Sequence, residues 1–446
     1  MFDETDVLRR GVELMEKNDV DQAISVFTEA IELNGQYIEA YYSRGNAYEE
    51  KGDHDTAIAD YNTVLKLSPN DPVAYYNRGS AYAKTANYDK AISDFDKAVR
   101  LDPKYAKAYY NRGYAYFKKA LFDRAIADYT ATIEFAPEDA DAYVSRGLAQ
   151  AIQGNFDEAV ADYDRAIEID PKHAKAHGNR GNAYDKRGNL EDAIAEYGKV
   201  IEINPNDAKA YSNRAIAHYK MGELDKAIAD YSQSIGLNPK STRAYCSRGI
   251  AYSRRRQNDK AIADFDEAIR LQPKNADAYV CRGNARSASG DQQGAVKDHT
   301  EAIRLDPELV KAYYNRGMVY GTGNNLDGAI ADYTKVIELD PDDAHAYCHR
   351  GVVFTRKGDL PAAVTDFEKA IKLDSEYSRA YYNRGLVHMI QGNLDAAVSD
   401  FNEAIRLTPS YGIAYYNRGL VFKGKGDTAR ANADFAKAKK FGVTGK

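Results

Sequence analysis

The chain has 446 residues, 44% of them hydrophobic and 29% charged, with a net charge of −6. That balance fits a folded soluble protein and argues against nucleic-acid binding through an overall basic charge. The three cysteines, Cys246, Cys281 and Cys348, exclude a disulfide framework and suit a reducing compartment.

At the N-terminus, Asp3, Glu4, Asp6, Arg9 and Arg10 interrupt any apolar stretch, so no signal-peptide core is expected. No apolar run is long enough to span a membrane. The expected location is cytoplasmic. From residue 4 onward the chain repeats. The string Tyr75-Tyr76-Asn77-Arg78-Gly79 returns at 109–113, 313–317, 381–385 and 415–419, always at a multiple of 34 residues. Frames begin at 4, 38, 72, 106, 140, 174, 208, 242, 276, 310, 344, 378 and 412, giving one continuous array of thirteen over 4–445. No insertion breaks the register, so no catalytic domain lies between frames.

Each frame reads as two helices. In the second frame, apolar spacing predicts a helix over 38–51 closed by Gly52, which tolerates the left-handed conformation of a helix end. A second helix follows over about 55–67, and Pro69 blocks its continuation. Gly45 and Ala57 lack bulk and let the two backbones approach, while Tyr41, Tyr48 and Tyr61 fill the remaining space. A lone hairpin cannot bury its apolar faces, so neighbours must stack. The last helix, 428–441, is rich in Lys and Ala and reads as a polar cap.

Arg fills position 7 and Ala position 20 of all thirteen frames. Position 8 is Gly except at Ala215, and position 24 is aromatic except at His299. Position 4 is Tyr in eleven frames and position 32 is Pro in ten. This pattern resembles the tetratricopeptide repeat family over the whole chain, with one systematic departure, Arg in place of Leu at position 7. The resemblance implies an all-α, right-handed superhelical solenoid of thirteen 34-residue helix-turn-helix repeats. The departing arginine has an internal answer. Position 23 is Asp or Glu in twelve frames, Val26 being the exception, so each Arg is expected to reach a carboxylate on a neighbouring second helix. An anion-binding ladder is the competing reading.

The resemblance also implies that positions 2, 5, 6, 9, 12 and 13 face a concave groove. Position 6 is Asn in seven frames, among them Asn77, Asn111, Asn179 and Asn213. Such a row offers donors and acceptors to the backbone of an extended peptide, or simply stays solvated. Position 5 carries Tyr at both ends of the array, including Tyr76 and Tyr110, which either contact a ligand or pack on their neighbours. Over residues 72–275, positions 2 and 13 supply Lys84, Lys107, Lys118, Lys175, Lys186, Lys209, Lys220, Arg243 and Arg254, against one acid, Asp141. On an acidic chain this stripe is segregated. It would attract an acidic partner segment, or it is an ordinary solvated face. The two-carboxylate clamp of some relatives finds a match only at Asn46, Asn77 and Lys107, without its other charged members.

Other chemistry is sparse. No phosphate loop or hydrolase elbow is present. His345 and His349, with Cys348 between them, have helical metal-ligand spacing but no third ligand. His299 and His218 replace aromatics and read as packing residues. The expected function is a protein–protein interaction scaffold that binds an extended, acidic segment, without enzymatic activity, cofactor or metal. The alternative is an RNA-binding helical repeat, which the Tyr114, Phe117 and Tyr219 rings beside basic side chains favour.

Overall fold

The computed structural model describes residues 4–444; Asp3 and the end of the thirteenth frame at 445 lie outside the described residues. The described chain is all α: twenty-six helices of thirteen or fourteen residues, with no strand among them. It forms two compact units, Met1–Gly222 and Glu223–Lys446.

Within each unit, the first helix of a hairpin packs on its own second helix, and the second helix packs on the first helix of the next hairpin. The second frame shows why. Helix α3 (Ile38–Lys51) ends at Gly52, whose φ is 86°. Helix α4 (His54–Leu67) starts one residue earlier than the pattern predicts, because Asp53 caps it by accepting from the Thr56 N–H. Gly45 faces the Tyr61 ring, and a Cβ there would stand 2.9 Å from it. The left-handed residue recurs at position 15 of every frame. Gly fills it in eight frames; Asn18, Ala86, Ala120, Arg256 and Asn324 adopt the same conformation at φ 57–66°.

The arginines at position 7 are structural. In the first unit, Arg112 Nε and Nη2 donate to both oxygens of Asp128 at 2.8 and 2.6 Å. The carboxylate belongs to the second helix of the same hairpin. Arg112 Nη1 also donates to Asp96 of the preceding hairpin at 2.7 Å. Arg112 therefore closes its own hairpin and staples it to the one before. Thr28, Asn62 and Thr130 take that backward bond from Arg44, Arg78 and Arg146. The second unit repeats the arrangement at Arg248, Arg282, Arg316, Arg350 and Arg418. Burial works against the Arg112 charge, but Asp128 and then Asp96 outweigh it and hold its pKa above the usual guanidinium range. Arg10, in the first frame, is exposed.

One hairpin alters the motif in two places at once. His177 replaces the usual position-4 Tyr and Glu196 the usual Asp. Glu196 meets Arg180 Nη2 at 2.7 Å with one oxygen and His177 Nδ1 at 2.8 Å with the other. The bidentate fork is broken, and Arg180 Nε is left buried without a hydrogen-bond partner among the described residues.

Among the described residues, no helix is long and apolar enough to cross a membrane, and no group of three or more metal-ligating side chains comes together. His345 and His349 diverge. His345 packs edge-on against Tyr377 at 4.6 Å, and His349 stacks on Tyr333 at 5.6 Å. Burial, reinforced by Arg379 and His345, pushes the His349 pKa down to about 4. The final helix, α26 (Thr428–Lys440), places Lys437, Lys439 and Lys440 in its last turn, where positive charge favours the exposed carbonyl end.

Candidate binding face of the first helices

In the first unit the relevant elements are α5 (Pro72–Lys84), α7 (Ala106–Lys118), α9 (Ala140–Ile152), α11 (Ala174–Arg187) and α13 (Ala208–Lys220). Their first-helix positions meet across repeats, and the contacts sort the candidate residues into groups.

The asparagines bridge neighbouring hairpins. Asn77 donates to Asn46 Oδ1 at 3.4 Å, Asn111 to the Tyr76 hydroxyl at 3.1 Å, and Asn213 to Asn182 Oδ1 at 3.3 Å. Each bond uses an amide N–H and leaves the carbonyl oxygen of the same amide outside it. Asn179 instead lines a cavity described below. The tyrosines are half-buried and packed. Tyr76 lies 5.0 Å from Tyr105 and 6.0 Å from Phe95. Tyr110 lies 5.6 Å from Tyr129, and its hydroxyl pairs with Ser145 Oγ at 3.1 Å. The rings pack within their own frames, and their hydroxyls bond to the next hairpin, at Asn111 for Tyr76 and Ser145 for Tyr110, which their position alone did not decide.

The basic stripe divides in two. Lys84 is tied to Glu49 and Lys220 to Asp185, each at 2.7 Å, with the carboxylate at position 12 of the preceding hairpin. Lys118 rests over the Tyr114 ring at 5.2 Å. Lys107, Lys175, Lys186 and Lys209 are exposed and make no ion pair among the described residues. Sequence reading missed this division, although its signal was present: an acid at position 12 followed by Lys at position 13 of the next frame. Asp141, the one acid in the stripe, lies 3.3 Å from His173 Nε2.

Between α9 and α11 lies a cavity of about 280 Å³, lined by Leu148, Ala151, Ile152, Phe156, Asn179 and Lys186 among others. In the second unit, Arg243, on α15 (Thr242–Arg254), is likewise exposed and makes no ion pair among the described residues. Asp277 there is matched by Lys311 at 2.5 Å.

Hairpins joined edge to edge by one recurring arginine staple, with a side-chain-lined face of first helices, define a helical repeat protein of the binding class. Tetratricopeptide repeat profiles match residues 72–105, 140–173, 208–241, 242–275 and 310–343, then 348–412 and 382–441, then 95–127 and 162–195. A further TPR repeat profile matches 11–52, 47–85, 181–222 and 283–323. The chain belongs to the tetratricopeptide repeat family, and these repeats make it a protein–protein interaction scaffold. Similar solved structures include the APC/C hetero-tetramer Cut9–Hcn1 (18% identity over 98% of this chain and 93% of that one, TM-score 0.43). Yeast Tom70 is similar at 19% identity, over 92% of this chain and 100% of that one, with a TM-score of 0.43. YrrB, described as a TPR protein with an unusual peptide-binding site, is 27% identical over 41% of this chain and 95% of its own, with a TM-score of 0.36. No curated protein matches the chain.

Proposed function

We propose that the first-helix face of the first unit binds an extended, acidic segment of a partner protein. The observation that carries this reading is the contrast within the stripe. Lys84 and Lys220 have built-in carboxylates, whereas Lys107, Lys175 and Lys209 have none among the described residues. Three exposed ammonium groups at position 2 of the fourth, sixth and seventh frames, on an acidic chain, favour an anionic partner by complementarity. Asn77, Asn111 and Asn213 keep a carbonyl oxygen outside their inter-repeat bonds, and it accepts a peptide N–H. Arg243 supplies the same chemistry on the second unit. Residues 4–445 act as one array with 428–441 as its polar cap, and the scaffold does its work by binding rather than by catalysis. Three free cysteines fit a cytoplasmic setting.

The test is fluorescence anisotropy of a labelled glutamate-rich peptide against the whole chain and a Lys107→Glu/Lys175→Glu/Lys209→Glu variant. Affinity is expected to fall at least about a hundredfold in the variant, and to fall with added salt in the native chain. Thermal unfolding should be unchanged, because the lysines are exposed. Equal binding by both proteins overturns the reading. The exposed Tyr114 beside Lys118 favours the RNA alternative. Tight binding of labelled single-stranded RNA, without binding of the peptide, would establish it instead.

A further inference from the structure

We infer that the segment bound by the first unit carries a large apolar residue, bracketed about three residues to either side by acidic ones. This rests on the basic-groove reading above and specifies the ligand of that same face.

The fourth and sixth frames offer lysine at both edges of their first helices: Lys107 and Lys118 on α7, Lys175 and Lys186 on α11. The fifth frame, on α9 between them, breaks the pattern at both edges. Asp141 stands where its neighbours have lysine, and its side chain is 62% exposed. Ile152 stands at the other edge and is 52% exposed, a large apolar side chain with half its surface in water. An acidic ligand residue opposite α9 meets like charge at the Asp141 edge and gains nothing at the Ile152 edge. An apolar one finds the cavity of about 280 Å³, whose wall is formed by Leu148, Ala151, Ile152 and Phe156. Lys186 lies on the same lining, so the acid that follows that apolar residue on the α11 side has its counter-charge in place.

Spacing follows from packing. Helix α7 touches α9 through Tyr110 and Ser145 at 3.1 Å, and α9 also contacts α11. Touching helices lie about 8–10 Å apart. An extended chain advances about 3.3 Å per residue. One frame therefore corresponds to about three ligand residues, and the pattern is acid, two spacers, apolar, two spacers, acid.

The experiment compares two short fluorescein-labelled peptides with glycine–serine spacers, Glu-x-x-Leu-x-x-Glu and Glu-x-x-Glu-x-x-Glu, on the whole chain. The leucine peptide is expected to bind about tenfold tighter, a gain that burying one large apolar side chain supplies. Ile152→Lys combined with Asp141→Lys should reverse the order, while each variant's thermal unfolding confirms the fold. Equal affinities in the native chain, with both lost in the Lys107/Lys175/Lys209 charge reversal, overturn the bracketed pattern and leave the basic groove standing. Tighter binding of the glutamate-only peptide also overturns the bracketed pattern, and failure of both peptides to bind, or binding that ignores the charge reversal, overturns both readings.

Discussion

Arg112 is anchored on one side to a carboxylate, Asp128, that is itself buried at 5% exposure. Removing the guanidinium alone strands that charge. Arg112→Leu is expected to destabilise the chain by about 3–5 kcal/mol, read as a fall in unfolding midpoint. Arg112→Leu/Asp128→Leu should recover much of the loss, because no buried charge then remains unpaired. His299 poses the opposite problem. It occupies an aromatic position, is fully buried, and neither ring nitrogen has a hydrogen-bond partner among the described residues. Burial pushes its pKa down to about 4, below the unfolded value of about 6.5. The unfolded chain takes up the proton first as pH falls. The neutral ring's contribution is therefore present above about pH 6.5 and is lost between there and about pH 4, an effect of about 2–3 kcal/mol. His299→Phe should abolish that portion of the pH dependence and raise stability at pH 7, which unfolding curves at pH 7 and pH 5 would show. The sequence made the Arg–carboxylate pairing readable because both residues recur at a fixed offset. It did not reveal that Glu196 is shared with His177, because that depends on where two changed side chains point.

At the scale of the helix and its turn, position 15 is left-handed whatever residue fills it. Gly does so freely, whereas Ala86 and Ala120 hold φ values of 59° and 57° that a Cβ opposes. Ala120→Gly, ordinarily a destabilising change in a folded chain, is therefore expected to stabilise by about 0.5–1 kcal/mol. A lowered midpoint in chemical denaturation would show that the turn is held by other means. The helix ends predicted from sequence lie within a residue or two of those observed, since apolar spacing and a closing Gly mark them. Their N-caps were less visible. Asp53 and Asp71 accept from the first N–H groups of the next helix, and a short acidic residue in a loop does not announce that role.

Over the whole molecule, the 34-residue register was fully legible because nothing interrupts it. The binding face was legible only in part. Which lysines are free is decided by the hairpin before, as Glu49 and Asp185 decide for Lys84 and Lys220. A lysine read within its own frame carries no sign of that. The same backward reach runs through the staples: Arg44 to Thr28, Arg78 to Asn62, Arg112 to Asp96, Lys51 to Asp21 and Lys119 to Asp89. In each, the longer cationic arm lies later in the chain and its acceptor earlier. Synthesis proceeds from the amino end, so a finished hairpin already displays its acceptors when the next one leaves the ribosome. Each newcomer brings its own fastener and asks nothing of what is still unmade. A gene that lengthens by copying a hairpin onto its carboxyl end thus adds a part that arrives ready to attach.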